Sequence, residues 1–313
     1  MRKLLKIAVQ MDNIATIEIA GDTTFALMLE AQKRGYEIYY YQPDNLSLYD
    51  SKVMARCCKI ALNDEEDDYY KLDEEENVNL KDVDVVLIRQ DPPYNMNYLT
   101  YTYLLDKITD KTLVINNPTN VRNCPEKIFV CNFAEFMPPT AISADMQIIE
   151  DFQKKYGEII LKPLYAHGGA DVFKVDSEDL DIVANWLLEK YKTPIIAQKF
   201  IKEVKKGDKR IILINGKPAG AVNRIPEEGT ILANFVQGGQ GSKTKLTKRE
   251  EEICKALEKP LQDRGLMLAG IDVINGYLTE INVTSPTGIR AIDDLNGTCL
   301  EAIFWDEVEG KLS

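Results

Sequence analysis

Short, almost wholly apolar runs predict buried strands in the first third of the chain, at residues 4–9, 36–41, 83–88 and 113–115. Between the first two runs the apolar residues change to helical spacing over residues 23–34. Asp22 is the predicted N-cap of this helix, and Gly35 is its predicted stop. This alternation of strand and helix predicts an open α/β sheet.

Two polar side chains follow the ends of these predicted strands. Asp12 comes after the first run, and Arg89 comes directly after the run at 83–88. Ligands of open α/β sheets sit at the carboxyl ends of the strands. A surface salt bridge is the alternative for Arg89, but a cation at the end of an apolar strand favours anion binding.

A lysine followed by a glycine loop marks the middle of the chain. Lys162 interrupts the apolar run 158–163, and Gly168 and Gly169 lie in the turn that follows. Such turns expose backbone amides that bind phosphate. His167, in the same loop, is the only histidine, and we expect it to have no role in the chemistry. Lys127 lies in the first turn of a predicted helix, where the helix dipole disfavours a positive charge. This position indicates either an anionic partner or a solvent-exposed lysine.

Asn-Gly pairs between alternating segments predict two hairpins in the last third, with turns at 215–216 and 275–276. The second hairpin carries Asp272, Glu280 and Asn282, oxygen donors of the kind that Mg²⁺ prefers. The hydroxyl-rich loop 283–290 follows and suits an anion beside the metal. The alternative is an amphipathic hairpin whose polar face is simply hydrated.

The register of this hairpin is open from the sequence alone. A two-residue loop places Asp272 opposite Thr279, on the other face from Glu280. A three-residue loop, 275–277, places Asp272 opposite Glu280. We favour the three-residue loop because only that register gives a shared metal site.

Composition excludes several classes of protein. The 313 residues carry a net charge of −12, which argues against a nucleic-acid partner. The acidic runs 64–68 and 73–76 are expected to be solvated surface. The six cysteines form no C-x-x-C pair, so neither a zinc site nor a disulfide framework is expected. The sequence has no apolar run long enough for a membrane-spanning helix, so we expect no membrane span. We also expect a cytoplasmic protein whose thiols are free.

Several short motifs together resemble the bacterial glutathione synthetases of the ATP-grasp superfamily, over almost the whole chain. The most specific segment is 278–287, Leu-Thr-Glu-Ile-Asn-Val-Thr-Ser-Pro-Thr. The other segments lie near residue 12 and at 25–36, 89–93, 123–127, 160–169, 207–210 and 223–226.

The resemblance implies a carboxylate–amine ligase that acts on small molecules. ATP would phosphorylate the C-terminal carboxylate of γ-glutamylcysteine, and the amino group of glycine would attack the acyl phosphate. The products would be glutathione, ADP and phosphate. Mobile lids near 166–170 and 226–241 are expected, because an acyl phosphate hydrolyses unless water is excluded. No residue stands out as a general base.

The resemblance also implies four groups of site residues. Two Mg²⁺ ions, with Mn²⁺ as an alternative, would be held by Asp272, Glu280 and Asn282. Arg210 would stabilise charge on the acyl phosphate. The nucleotide would be bound by Lys127, Lys162, Gly168, Gly169, Gln198, Lys199, Phe200, Ile201 and Asp208. Substrate carboxylates would be bound by Arg89, Ser285, Thr287 and Arg290.

The implied fold is an ATP-grasp fold, α/β and α+β, with three parts. An N-terminal open α/β domain would span residues 1–122, a small lobe 123–200, and a C-terminal lobe with the metal site 201–313. ATP would lie between the two lobes. The resemblance further implies a homotetramer.

The lid departs from the family pattern, which leaves the substrates open. Relatives carry two arginines where this chain has Leu232-Ala233-Asn234 and Gln240. Glycine is the favoured acceptor, and another small amino acid is the alternative. A ligase for a different acid, or a synapsin-like ATP-binding protein without catalysis, are further alternatives. The complete metal-ligand set, with Arg210 near Asp208, favours an enzyme.

Overall fold

The computed structural model describes residues 4–230, 233 and 238–313. Its strands are β1 (Lys6–Gln10), β2 (Glu37–Tyr41), β3 (Leu46–Tyr49), β4 (Lys52–Leu62), β5 (Tyr70–Asn79), β6 (Val85–Ile88), β7 (Leu113–Ile115), β8 (Thr140–Ser143), β9 (Ile159–Pro163), β10 (Phe173–Val175), β11 (Ile195–Lys199), β12 (Asp208–Ile214), β13 (Lys217–Ile225), β14 (Gln240–Lys243), β15 (Leu268–Ile274) and β16 (Tyr277–Asn282). Its α-helices are α1 (Thr23–Lys33), α2 (Met96–Leu105), α3 (Pro118–Asn123), α4 (Glu126–Phe129), α5 (Met146–Tyr156), α6 (Leu180–Tyr191), α7 (Lys248–Asp263), α8 (Ile289–Asn296) and α9 (Leu300–Leu312). No helix within the described residues is long and apolar enough to cross a bilayer.

The N-terminal part is the open sheet that the apolar runs predict. Its strand order is β3-β4-β2-β1-β6-β7, with β5 paired to the outer side of β4. The inner strands β2, β1, β6 and β7 pair in parallel, whereas β3, β4 and β5 are antiparallel additions. The acidic run 73–76 lies on β5, whose side chains are mostly exposed. Run 64–68 is exposed in the preceding turn.

The remaining strands form two antiparallel sheets. The smaller has the order β10-β9-β11-β8, and α5 and α6 cover it. It has its own apolar core, which includes Ile149, Leu161 and Leu187. The larger has the order β14-β13-β12-β15-β16 and carries the predicted metal hairpin at one edge. Parallel inner strands in one sheet and antiparallel strands in the other two give the predicted α/β and α+β mixture.

The N-terminal sheet and the larger antiparallel sheet share their cores. One cluster joins residues such as Ala8 and Val86 to Ile211 and Ala269, and a second joins Ile7 to residues of β12, α8 and α9. The C-terminal helix α9 lies against α1, where the indole of Trp305 donates to the Leu27 carbonyl at 2.8 Å. These two parts therefore pack as one body, while the small antiparallel sheet keeps a core of its own.

A buried ion pair fixes α7 against the larger antiparallel sheet. Nζ of Lys209 lies 2.6 Å from Oε2 of Glu250, and their side chains are 10% and 6% exposed. Glu250 also completes the capping box of α7 with Thr247. Lys209 follows Asp208 on β12, so it points away from the face that carries the predicted site.

We expect Lys209→Met to lower the free energy of unfolding by about 3 kcal/mol, because it leaves the Glu250 carboxylate buried without its cation. Urea unfolding followed by circular dichroism measures the change. Lys205→Met, at an exposed position of the same segment, is the matched control. An unfolding free energy equal to that of the control would show that the pair does not hold α7.

Candidate active site

The hairpin of β15 and β16 brings Asp272 directly opposite Glu280. Its turn has two residues, Asn275 and Gly276, with φ of 50° and 77°, as a tight hairpin turn requires. The predicted three-residue loop is therefore wrong. Asp272 nevertheless lies opposite Glu280, as the three-residue loop predicted, because a β-bulge shifts the register and leaves Thr279 without an opposite residue.

Arg210 lies opposite Asp272 on the neighbouring strand β12. Its Nε and Nη2 donate to the two Asp272 carboxylate oxygens at 2.6 and 3.1 Å, and its Nη1 donates to the carbonyl of Thr287 at 3.1 Å. Gly270 makes room for this side chain, since a Cβ there would lie 3.0 Å from Nη1. The bidentate contact therefore holds a buried guanidinium at one fixed position beside Glu280.

Two lysines from other elements approach Glu280. Lys162 on β9 and Lys127 on α4 place their Nζ atoms 3.4 and 3.7 Å from the same carboxylate oxygen. Burial alone would raise the pKa of Glu280, but the charges of the two lysines outweigh it and lower the pKa. Nζ of Lys127 also donates to the carbonyl of Ala166 in the glycine loop at 2.6 Å. The predicted anionic partner of Lys127 is thus present.

Arg224 belongs to the same cluster, although it is not among the predicted site residues. It lies on β13 opposite Asp208. Its Nη2 is 2.7 Å from Oδ2 of Asp208 and 2.9 Å from Oδ1 of Asp272. Burial raises the pKa of Asp208 to about 6, against the opposing charge of Arg224. Arg224 lies in the segment 223–226 that carries part of the family resemblance, but its pairing with Asp208 follows from the register of β12 against β13.

The residues predicted to bind the nucleotide line one continuous cleft with this cluster. They are Lys127, Lys162, Gly168, Gly169, Gln198, Lys199, Phe200, Ile201 and Asp208. Gly168 and Gly169 have φ of 62° and 77°, in the left-handed region that suits a tight loop with exposed amides. His167 and Ala233 also line the cleft. Gln240 of the predicted lid is exposed, and Leu232 and Asn234 lie outside the described residues.

The four residues predicted to bind substrate carboxylates separate into three groups. Ser285 and Thr287 line the cleft. Arg89 is 5% exposed, and its guanidinium donates to Thr24 Oγ1 at 3.0 Å and to the carbonyl of Pro286 at 3.1 Å. In the described part of the chain it has no carboxylate within ion-pair distance, and burial lowers its pKa.

Arg290 is not among the residues that line the cleft, unlike Ser285 and Thr287. Its Nη2 lies 2.7 Å from Oδ1 of Asp64, and its guanidinium lies over the ring of Phe25 at 5.4 Å. The Asp64 carboxylate therefore holds this arginine on the surface of the N-terminal sheet. Its predicted role in substrate binding remains a prediction.

The predicted metal ligands all line this cleft, and their oxygens are of the kind that a hard divalent cation prefers. Asp272, Glu280 and Asn282 supply two carboxylates and an amide, and Oδ2 of Asp272 lies 3.3 Å from the Asn282 amide nitrogen. Magnesium takes one or two protein carboxylates together with substrate phosphate oxygens and water. Oδ1 of the neighbouring Asp208 is buried and accepts no hydrogen bond within the described residues. Histidine or cysteine ligands are not part of this group, which argues against a zinc-type site.

Comparison with known proteins decides the family. The model of the prokaryotic glutathione synthetase N-terminal domain matches residues 5–122, and that of the prokaryotic glutathione synthetase ATP-grasp domain matches residues 126–297. The chain belongs to the prokaryotic glutathione synthetase family. Glutathione synthetases of Mesorhizobium japonicum and Brucella melitensis are 51% and 52% identical to it over 311 residues, 98% of this chain and 99% of each relative. That of Escherichia coli is 36% identical over 313 residues, 99% of both chains.

Solved structures show the fold of this glutathione synthetase-family enzyme. D-cycloserine synthetase DcsG superposes with a TM-score of 0.70 at 13% identity, over 98% of this chain and all (100%) of that one. The ATP-grasp ligase PsnB, complexed with a phosphomimetic variant of its minimal precursor, Mg and ADP, has a TM-score of 0.62 at 15% identity, over 99% of both chains. The predicted family, the ATP-grasp fold with an N-terminal α/β domain, and the assignment as an ATP-dependent ligase are confirmed.

Proposed function

We propose that the chain joins γ-glutamylcysteine and glycine into glutathione and converts ATP into ADP and phosphate. The observation that carries this proposal is the convergence in one cleft of two lysines, two arginines and the Asp272–Glu280 pair. Phosphoryl transfer needs positioned positive charge more than covalent participation by the protein. Membership of the glutathione synthetase family supplies the donor acid and the acceptor amine.

The cationic side chains divide the work at the reacting centre. Lys127 and Lys162 hold the phosphates of ATP, and Gly168 and Gly169 supply backbone amides to them. Arg210, fixed by Asp272, stabilises the charge that develops as the cysteinyl carboxylate takes up the phosphoryl group. Bound magnesium would screen the phosphate charges, and we propose two ions on Asp272, Glu280 and Asn282, with Mn²⁺ as a substitute.

The remaining predicted residues position the two ends of the substrates. Gln198, Lys199, Phe200 and Ile201 border the adenine, and Asp208 lies near the nucleotide. Arg89, Ser285 and Thr287 bind substrate carboxylates, and Arg290, which is paired with Asp64 outside the cleft, has no geometric support for the same role. For Arg89 the support is a buried guanidinium that lacks a carboxylate partner within the described residues.

We further propose a division into residues 1–122, 123–200 and 201–313, with ATP between the last two. The oligomer proposed is a homotetramer. The six cysteines are all free, which is typical of a reducing compartment, so we propose that the enzyme works in the cytoplasm.

A product assay tests the reaction. The protein is mixed with magnesium, ATP and γ-glutamylcysteine, and glycine, alanine, β-alanine and serine compete as acceptors. We expect glutathione as the dominant product by mass spectrometry, with one ADP for each tripeptide. Dominance of another tripeptide would overturn the acceptor assignment and leave the ligase mechanism. Absence of ADP with every acceptor would overturn the donor acid.

A further inference from the structure

Carboxylates line the cleft at five positions among the described residues, Asp91, Glu126, Asp208, Asp272 and Glu280. The last three each lie within 3.4 Å of a lysine or arginine nitrogen. Asp91 is exposed to solvent. Glu126 differs from both groups, because it is turned into the cleft and no cation of the described chain lies within ion-pair distance of it. It is also absent from every role assigned above.

The contacts of Glu126 leave one of its oxygens available. Oε1 accepts a hydrogen bond from Oγ1 of Thr284 at 2.7 Å, and Oε2 has no hydrogen-bond partner in the described part of the protein. Burial raises the pKa of Glu126, and the neighbouring charge of Lys127 opposes this shift. Close by, the hydroxyl of Tyr98 is buried without a hydrogen-bond partner among the described residues. Burial raises the pKa of Tyr98, and the charge of Glu126 adds to the increase.

Glu126 also lines a small side pocket next to the main cleft, as do Thr284 and His167. Tyr94, Tyr165, His167 and Thr284 line that pocket. The rings of Tyr94 and Tyr165 stack at 5.9 Å with an interplanar angle of 14°. A carboxylate, a hydroxyl and aromatic rings in one pocket lining are the groups that recognise a small organic ammonium ion.

The two substrates of the proposed reaction both carry an ammonium group, and position distinguishes them. Glu126 is the neighbour in sequence of Lys127, whose Nζ lies 3.7 Å from Glu280. Thr284, the hydrogen-bond partner of Glu126, follows the predicted metal ligand Asn282 by two residues. Glu126 is therefore at the phosphate end of the cleft. The ammonium of an extended γ-glutamylcysteine lies roughly 8 Å from the carboxylate that is phosphorylated. The acceptor nitrogen, in contrast, must approach that carboxylate directly.

We propose that Glu126, with Thr284, Tyr94 and Tyr165, forms the subsite that holds the ammonium group of the acceptor amino acid. The inference rests on the proposed ligase function and adds a residue that selects and orients the acceptor. Asp208, Asp272 and Glu280 are each paired with a lysine or arginine of the cleft. Glu126 is the half-buried carboxylate of the described cleft lining that is left to pair with an incoming ammonium ion.

Glu126→Gln tests the subsite, because it removes the charge and keeps the shape. We expect the KM for glycine to rise by about tenfold or more, as the loss of a hydrogen bond to a charged group implies. The KM values for ATP and γ-glutamylcysteine should stay within about twofold of wild type. Hydroxylamine, which is largely uncharged at neutral pH, should trap the acyl phosphate as the hydroxamate at the wild-type rate.

Glu126→Asp, which keeps the charge, should restore much of the glycine affinity, and it serves as the second variant if the glutamine variant folds poorly. Glu135→Gln, at an exposed position of the same segment, is the control. An unchanged KM for glycine, or a rise in the KM for γ-glutamylcysteine instead, would overturn the proposal. If the wild-type protein forms no hydroxamate from γ-glutamylcysteine and ATP, the proposed donor is wrong, and that failure is separate from any result on Glu126.

Discussion

Glu280→Gln should reduce turnover by about 10³-fold while the protein stays folded. Glu280 forms ion pairs with Lys127 and Lys162, which come from two other elements. It also lies opposite Asp272, so it belongs to both the lysine pair and the predicted metal site. The amide of glutamine is nearly isosteric, but it cannot neutralise either lysine or offer an anionic oxygen to a cation. The loss therefore falls on phosphate positioning and not on packing.

Steady-state ADP release at saturating substrates measures this effect, and thermal unfolding by circular dichroism shows whether the fold survives. Glu252→Gln, an exposed position on α7, is the matched control and should behave like wild type. Wild-type ATP turnover in the Glu280 variant would remove this residue from the metal site. A collapse of the unfolding temperature would instead assign it to stability.

Arg210→Lys should lower kcat by about 10²-fold, although it preserves the charge. The guanidinium contacts both oxygens of Asp272 and the carbonyl of Thr287, a geometry that a lysine ammonium cannot reproduce. A lysine would reach Asp272 at one point only, and its charge would no longer be fixed toward the acyl phosphate.

The readout for Arg210 is kcat for glutathione formation together with the hydroxamate trapped from γ-glutamylcysteine and ATP. Both should fall, because Arg210 acts before the acceptor attacks. Arg249→Lys is the matched control, because the Arg249 side chain lies outside the cleft and is 43% exposed. This variant should keep the wild-type kcat and the wild-type rate of hydroxamate formation. A variant that traps hydroxamate at the wild-type rate would place Arg210 after acyl phosphate formation or outside the chemistry.

Sequence periodicity predicts the strands well where burial is two-sided. The runs that became β1, β2, β6 and β7 are nearly all apolar because helices or the second sheet cover both faces. Strand β5 is missed for the opposite reason. It is an edge strand with charged and polar side chains exposed on both faces, so its composition is that of a solvated acidic run.

The site is predicted as far as local motifs extend. Asp272, Glu280 and Asn282 stand out because oxygen donors interrupt an apolar hairpin. Register is harder, since each hairpin contains a bulge that no residue type announces. Without the bulge in the β12–β13 hairpin, Asp208 would face Asn223 and not Arg224. Glu126 escapes sequence analysis because its partner, Thr284, is 158 residues away along the chain.

The small antiparallel sheet has a core that it shares with neither of the other sheets. Elements with their own core can open as independent cooperative units, below the free energy of global unfolding. The N-terminal sheet and the larger antiparallel sheet share their cores and count as one unit, the small sheet counts as a second, and the cleft lies along their boundary. A ligand that touches both sides of this boundary couples the two equilibria. We therefore expect the resistance of the small unit to proteolysis and amide exchange to rise with nucleotide concentration, and the larger unit to keep its protection without nucleotide.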